Sequence, residues 1–162
     1  MTGDLARMLL AATLSLLVTA TDGGAVESSR EVFLEVEAAK KAGSLTKKVF
    51  RDCASEFSTF ETWTDAAGVV RLLVWEFGSE DSAHRAENYF DANGKLRFLF
   101  VKVGAVPDAH VEARWWFDDA GKIAQKKRKV SGEGPTYYAN EPGEYRVTSP
   151  AAFVSTRTKC KK

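Results

Sequence analysis

Trp63-Thr64-Asp65-Ala66-Ala67-Gly68-Val69-Val70-Arg71 returns 26 residues on as Tyr89-Phe90-Asp91-Ala92-Asn93-Gly94-Lys95-Leu96-Arg97. After 27 more it returns again as Trp116-Phe117-Asp118-Asp119-Ala120-Gly121-Lys122-Ile123-Ala124. Self-similarity at such a period marks one supersecondary unit used three times. The Asp-x-x-Gly core is turn chemistry. The aspartate carboxylate accepts backbone N–H groups further along, and the glycine three residues later supplies the positive φ that closes the turn. β-Branched and aromatic residues flank each core, which makes every unit a β-hairpin, with a bulge expected at the glycine.

Working outward from these turns gives a meander. The strands are expected at Ser58–Thr64, Val69–Phe77, Ser82–Phe90, Lys95–Val103, His110–Phe117 and Lys122–Val130. Asp-x-x-Gly turns alternate with the Gly78–Asp81 and Gly104–Asp108 connections, and links this short pair neighbours antiparallel. Leu45–Cys53 fits a helix through Leu45, Val49, Cys53 and Phe57, and a strand through Thr46, Val49 and Phe50; it is read as the first strand. Val70–Phe77 and Leu96–Val103 are apolar on both faces, so both faces of the sheet's middle need cover. Gln125–Lys129 is almost wholly polar, as suits an exposed edge guarded by lysines.

Two helices frame the meander. Ser28-Ser29-Arg30-Glu31 has capping-box spacing, Val32, Phe33, Val36 and Ala39 follow at helical intervals, and Lys40, Lys41 and Gly43 suit the far end. The reading is an amphipathic helix over Ser29–Ala42, preceded by a linker at Thr21–Glu27. Ser149-Pro150 opens a short closing helix over Ala151–Thr158, with a last strand as the alternative. Ser131–Gly143, with Tyr137 and Tyr138, lacks periodicity and reads as a long loop. The fold class is α+β: an N-terminal helix packed on a twisted antiparallel β-meander of about seven strands.

At the N-terminus, Met8–Val18 is apolar but for Thr13 and Ser15, and Val18-Thr19-Ala20 offers small residues for cleavage. Eleven residues are too few to span a bilayer, which takes roughly 20. Residues 1–20 are therefore read as a signal peptide, with Ala25 as an alternative cleavage position, residues 21–27 as the linker and residues 28–162 as a single domain. No membrane span is expected after processing, and the location is secreted or periplasmic. The chain carries 23 basic and 22 acidic side chains, and removing one of each with residues 1–20 leaves the net charge at +1. So even a balance gives no global field for nucleic acid. Cys53 and Cys160 both remain, and in an oxidising compartment they are expected to pair.

The repeats resemble those of tyrosine-aspartate (YD) repeat proteins, through Trp115-x-Phe117-Asp118-x-x-Gly121-Lys122-Ile123 and Phe90-Asp91-x-x-Gly94-Lys95-Leu96. Thr64-Asp65-x-x-Gly68-Val69-Val70 departs from that pattern, with no aromatic before the aspartate and no base after the glycine. The whole layout more closely resembles small uncharacterised secreted proteins of Gram-negative bacteria. The resemblance implies a hairpin fold and an extracytoplasmic compartment. It implies no chemistry.

Chemical motifs are weak. His84 and His110, with Asp81, Asp108 and Glu112 near them in sequence, are better read as surface histidines at strand ends than as a metal site, since no short ligand pair such as H-x-H exists. Ser44-Leu45-Thr46-Lys47 matches S-x-x-K, but the accompanying S-D-N and K-T-G elements are missing. Lys126-Lys127-Arg128-Lys129-Val130 reads as a solvated edge. Aromatics are plentiful, and Trp115, Tyr137, Tyr138 and Tyr145 are the candidates for stacking on a sugar ring or anchoring a partner. The function expected is a non-catalytic secreted or periplasmic module binding a protein or envelope glycan, with no cofactor or metal. The alternative is a small extracytoplasmic hydrolase or metal-dependent enzyme with a loop-built site.

Overall fold

The computed structural model describes residues 22–53 and 55–159. The segment read as a signal peptide and Cys160 lie outside the described residues. Helix α1 (Asp22–Lys41) leads into strands β1 (Thr46–Arg51), β2 (Thr59–Thr64), β3 (Val70–Gly78), β4 (Ser82–Phe90), β5 (Leu96–Ala105), β6 (Ala109–Phe117) and β7 (Ile123–Ser131). Helix α2 (Pro150–Thr158) closes the chain. The strands form one seven-stranded antiparallel sheet in sequence order. Leu45–Cys53 thus resolves as strand. The closing segment resolves as helix, with the Ser149 hydroxyl accepting the Ala152 N–H and Pro150 in the first turn. No described helix is long and apolar enough to cross a membrane.

One boundary differs from the sequence reading. Gly23–Glu27, expected as linker, is already helical. Ser28 and Ser29 are therefore interior and cap nothing. Ser29 instead donates to the Ala25 carbonyl at 2.9 Å and to the Phe117 carbonyl at 3.0 Å, fixing the start of α1 to the end of β6.

The three turns are built alike. In the first, the Asp65 N–H donates to the Val69 carbonyl and the Gly68 N–H to the Asp65 carbonyl, while an Asp65 carboxylate oxygen accepts the N–H groups of Ala67 and Val69. Asp91 repeats the pattern with Gly94, Asn93 and Lys95, and Asp118 with Gly121 and Lys122. Gly94 and Gly121 have φ of 74° and 77°. Valine at either is expected to cost about 1–2 kcal/mol, since a β-branched residue is strained in that region. Urea denaturation checks it, and unchanged midpoints would refute the turn assignment.

The bulge expected at each glycine sits three residues further on. Trp63 pairs with Leu72 and Thr64 with Val70, so Arg71 is the extra residue. By the same register Arg97 and Ala124 are extra in the second and third units. The bulge turns each arginine back under α1. Arg71 lies 3.6 Å from its own turn aspartate, Asp65, bonds Glu35 of α1 at 3.0 Å, and donates through Nε to the Phe90 carbonyl of the next unit at 3.1 Å. Arg97 lies 3.6 Å from Asp91, bonds the Ser28 hydroxyl at 3.0 Å and pairs with Asp119 of the next unit. Its Nε is left without a partner among the described residues, and the equivalent carbonyl, that of Phe117, accepts from Ser29 instead.

Both faces of the sheet are covered near its centre, as the doubly apolar strands require. On one face α1 packs Val32, Val36 and Phe33 against Leu72, Tyr89, Phe98 and Trp116. The Tyr89 hydroxyl donates to Glu37 of α1 and to Glu87, at 3.0 and 2.9 Å. Burial, then these two carboxylates, pushes its pKa well above the ordinary phenol value. On the other face the C-terminal segment supplies Ala139, Tyr145 and Val147 over Leu73, Leu99, Val101, Val111 and Trp115, and Phe153 of α2 meets Phe60 and Trp75 edge-on. Asn88 on β4 holds that segment: its amide donates to the Tyr145 carbonyl at 3.1 Å and accepts the Val147 N–H at 2.8 Å.

Candidate functional site

Strand register arranges the α1-side face in three rows. Lys47, Trp63, Leu72, Tyr89, Phe98, Trp116 and Gln125 form the row under the helix. Val49, Glu61, Val74, Glu87, Phe100, Arg114 and Lys127 form the next, followed by Arg51, Thr59, Glu76, Arg85, Lys102, Glu112 and Lys129. The helix lies across the Asp-x-x-Gly end because Ser28, Ser29 and Glu35 bond to groups there. Most of the outer two rows therefore stays partly or fully exposed.

The two sides of this open area differ. Toward β2–β4 the acids are matched, with Glu61 paired to Lys47 and Glu76 and Glu87 to Arg85. Toward β5–β7, Lys102, Arg114, Lys127 and Lys129 outnumber Glu112. Where the helix edge meets this basic side, Arg30, Phe33, Phe98, Phe100, Arg114 and Trp116 line a crevice of ≈ 250 Å³. The Arg114 guanidinium lies 4.4 Å from the centre of the Phe100 ring, a cation–π contact that flattens it along the wall.

The aromatics proposed from sequence are dispersed. Trp115 and Tyr145 are 0% exposed and belong to the core, on the face opposite α1. They are not displayed for a ligand. Tyr138 is half-buried and edge-on to His84, and only Tyr137, 65% exposed, stands in solvent. Lys126 and Arg128 turn to the C-terminal side, where Arg128 holds the Tyr138 and Thr136 carbonyls and Lys126 holds that of Asn140. Lys127 and Lys129 point the other way, so the basic run is divided between faces.

The two histidines are also separated. His84 pairs with Val103, whereas His110 pairs with Gly104, one residue out of step and hence on opposite faces. No cluster of metal-ligating side chains occurs among the described residues. His110 is exposed, 3.2 Å from an Asp108 carboxylate oxygen. His84, far from being a surface residue, is buried: it stacks on Phe77, and its Nδ1 and Nε2 lie 3.1 Å from the Tyr145 hydroxyl and from Ser82 Oγ. A shallow depression of ≈ 530 Å³ adjoins it.

Burial lowers the His84 pKa below its ordinary 6.5, against an opposing pull from Glu144. The other groups facing it, Ser82, Phe77, Tyr138 and Tyr145, contribute hydroxyls and rings. With the folded value below the unfolded one, the unfolded chain binds more protons as pH falls below about 6.5. Stability is then full above that pH and is lost as pH drops toward the folded pKa. Urea midpoints at about pH 5 and 7.5 are expected to differ by less in His84→Gln than in the wild type. An unchanged difference would refute the assignment.

Comparison with protein-family models, with curated proteins and with solved structures gives no match for the chain. What this molecule can do is therefore read from its own faces. The crevice residues were not singled out in the sequence. Phe98 and Phe100 were visible only as alternate positions of a doubly apolar strand, and Arg30 as part of a cap.

Proposed function

We propose that the protein is a non-catalytic binding module of the secreted or periplasmic space that engages a protein or envelope glycan through the open part of its α1-side sheet face. One observation carries this reading. The helix covers the row beneath it and buries Val74 of the next, and the rest of the outer two rows presents half-buried Phe100 beside a basic cluster on backbone fixed by the sheet. Recognition surfaces on rigid elements lose little entropy on binding. Pull-down from envelope extract tests it. A partner retained by the mature protein is expected to be lost with Lys102→Glu/Lys127→Glu, both exposed positions, and a partner held equally by both would overturn this face. The compartment is tested separately: the exported chain is expected to begin at Thr21 by intact mass, and retention of Met8–Val18 would refute processing.

A second reading, a small hydrolase, is favoured by the Ser82–His84–Tyr145 chain beside the larger depression. It ranks lower because the third member is a buried phenol whose pKa is raised by burial and by Glu144. Such a phenol stays neutral and gives an imidazolium no opposing charge. Labelling of Ser82 by a fluorophosphonate would promote this reading; an unlabelled chain leaves the binding module in place.

A further inference from the structure

We infer that the crevice between α1 and β5–β6 is a binding site for a small apolar monocarboxylate. Its walls are of two kinds. Phe33, Phe98 and Trp116 give an aromatic floor, with Phe33–Phe98 and Phe98–Trp116 ring centres 5.4 and 5.3 Å apart. Arg30 on the helix and Arg114 on β6 give two guanidinium groups at the same opening. The volume of ≈ 250 Å³ exceeds the roughly 150 Å³ in which a dry apolar cavity takes up benzene, so an arene or a short hydrocarbon body fits.

The charge at the mouth selects the headgroup. Among the described residues Arg30 reaches only Glu27, at the 4.0 Å limit of an ion pair between two exposed side chains. Of the Arg114 guanidinium, only Nη2 is hydrogen-bonded among the described residues, to Glu112 at 3.0 Å, and the Phe100 ring orients the plane. Both groups keep donors for a planar anion, and arginine matches carboxylate geometry with paired N–H groups. An apolar cation would be repelled. A neutral molecule of the same shape would fill the floor and leave both guanidiniums without the ligand's charge. This site shares Phe100 and Arg114 with the edge of the macromolecular face, whereas Lys102 and Lys127 lie outside the crevice lining.

The experiment is a titration of the mature chain with 2-naphthoate, followed by amide NMR. Saturable one-to-one binding is expected, with shifts at residues 30, 33, 98, 100, 114 and 116. The neutral 2-naphthamide is expected to bind about tenfold more weakly or worse, the loss of a charge-assisted hydrogen bond. Arg114→Gln and Arg30→Gln are each expected to weaken 2-naphthoate about tenfold, with the far-ultraviolet spectrum unchanged. Arg30 is exposed, so its variant keeps the test valid if Arg114→Gln fails to fold. Equal affinity for acid and amide, shifts centred elsewhere, or no saturation at millimolar ligand would each overturn the proposal. None of these results bears on the pull-down with Lys102→Glu/Lys127→Glu, so the two readings fail separately.

Discussion

Replacing Asn88 with leucine is expected to remove about 2–5 kcal/mol of stability, a large part of what a single domain has. Leucine is close to asparagine in shape but offers no polar atom. Asn88 is 0% exposed and bonds two backbone groups, the Tyr145 carbonyl and the Val147 N–H. Without the amide, one acceptor and one donor are left buried and unpaired, and each costs about 1–3 kcal/mol. The effect reaches beyond one residue. Tyr145 and Val147 are the anchors by which the C-terminal segment covers Leu73, Leu99 and Trp115. Asn88→Asp is expected to be at least as damaging, because a carboxylate would face the Tyr145 carbonyl. Urea denaturation measures the loss, and amide exchange at Val147 locates it. A variant as stable as the wild type would mean that the segment is held by its apolar contacts alone.

The second large effect concerns Cys53. A bridge to Cys160 is expected in exported protein, closing a loop of 107 positions, and its reduction should cost up to about 5 kcal/mol by loss of the constraint on the unfolded chain. The described residues bring the end of α2 beside Cys53. The Cys53 N–H donates to the Arg157 carbonyl at 2.8 Å, three residues before Cys160. Asp52 accepts the Ser58 hydroxyl at 2.8 Å and pairs with Arg157, whose guanidinium lies 4.4 Å from the centre of the Trp75 ring. Mass spectrometry of a non-reduced digest decides the pairing. Midpoints with and without reductant give its worth, and two free thiols in exported protein would refute it.

Much of this fold was written in the chain because turns are local. Asp65, Asp91 and Asp118 bond groups within four residues of themselves, so their positions fix six strands to within two residues at either end. Tertiary choices were less legible. Gly23 and Gly24 each disfavour a helix by about 1 kcal/mol, so the segment read as linker; in the structure the helix includes them regardless. Alternation places Trp115 and Trp116 on opposite faces and the doubly apolar strands require cover on both, but only the finished packing says that the C-terminal segment covers the Trp115 side. Tyr145 looked like a loop aromatic because nothing nearby announces Asn88, which lies 57 positions away. The crevice depends on where α1 crosses the sheet, and that is set by bulged arginines whose register no periodicity reveals.

Those arginines also give the array a direction. Arg71 reaches forward to the carbonyl of Phe90, and Arg97 reaches forward to Asp119. Apart from their bonds to α1, neither reaches back to an earlier hairpin. The third copy has Ala124 at that place and asks for nothing further along. The hairpins therefore overlap like roof tiles laid from one eave. Stripping the last would uncover the one before it, whereas stripping the first would leave every later overlap whole. Losses beginning at the β6–β7 end would travel backward through the sheet, and a duplicated hairpin inserted in the middle would arrive with its own overlap already in hand.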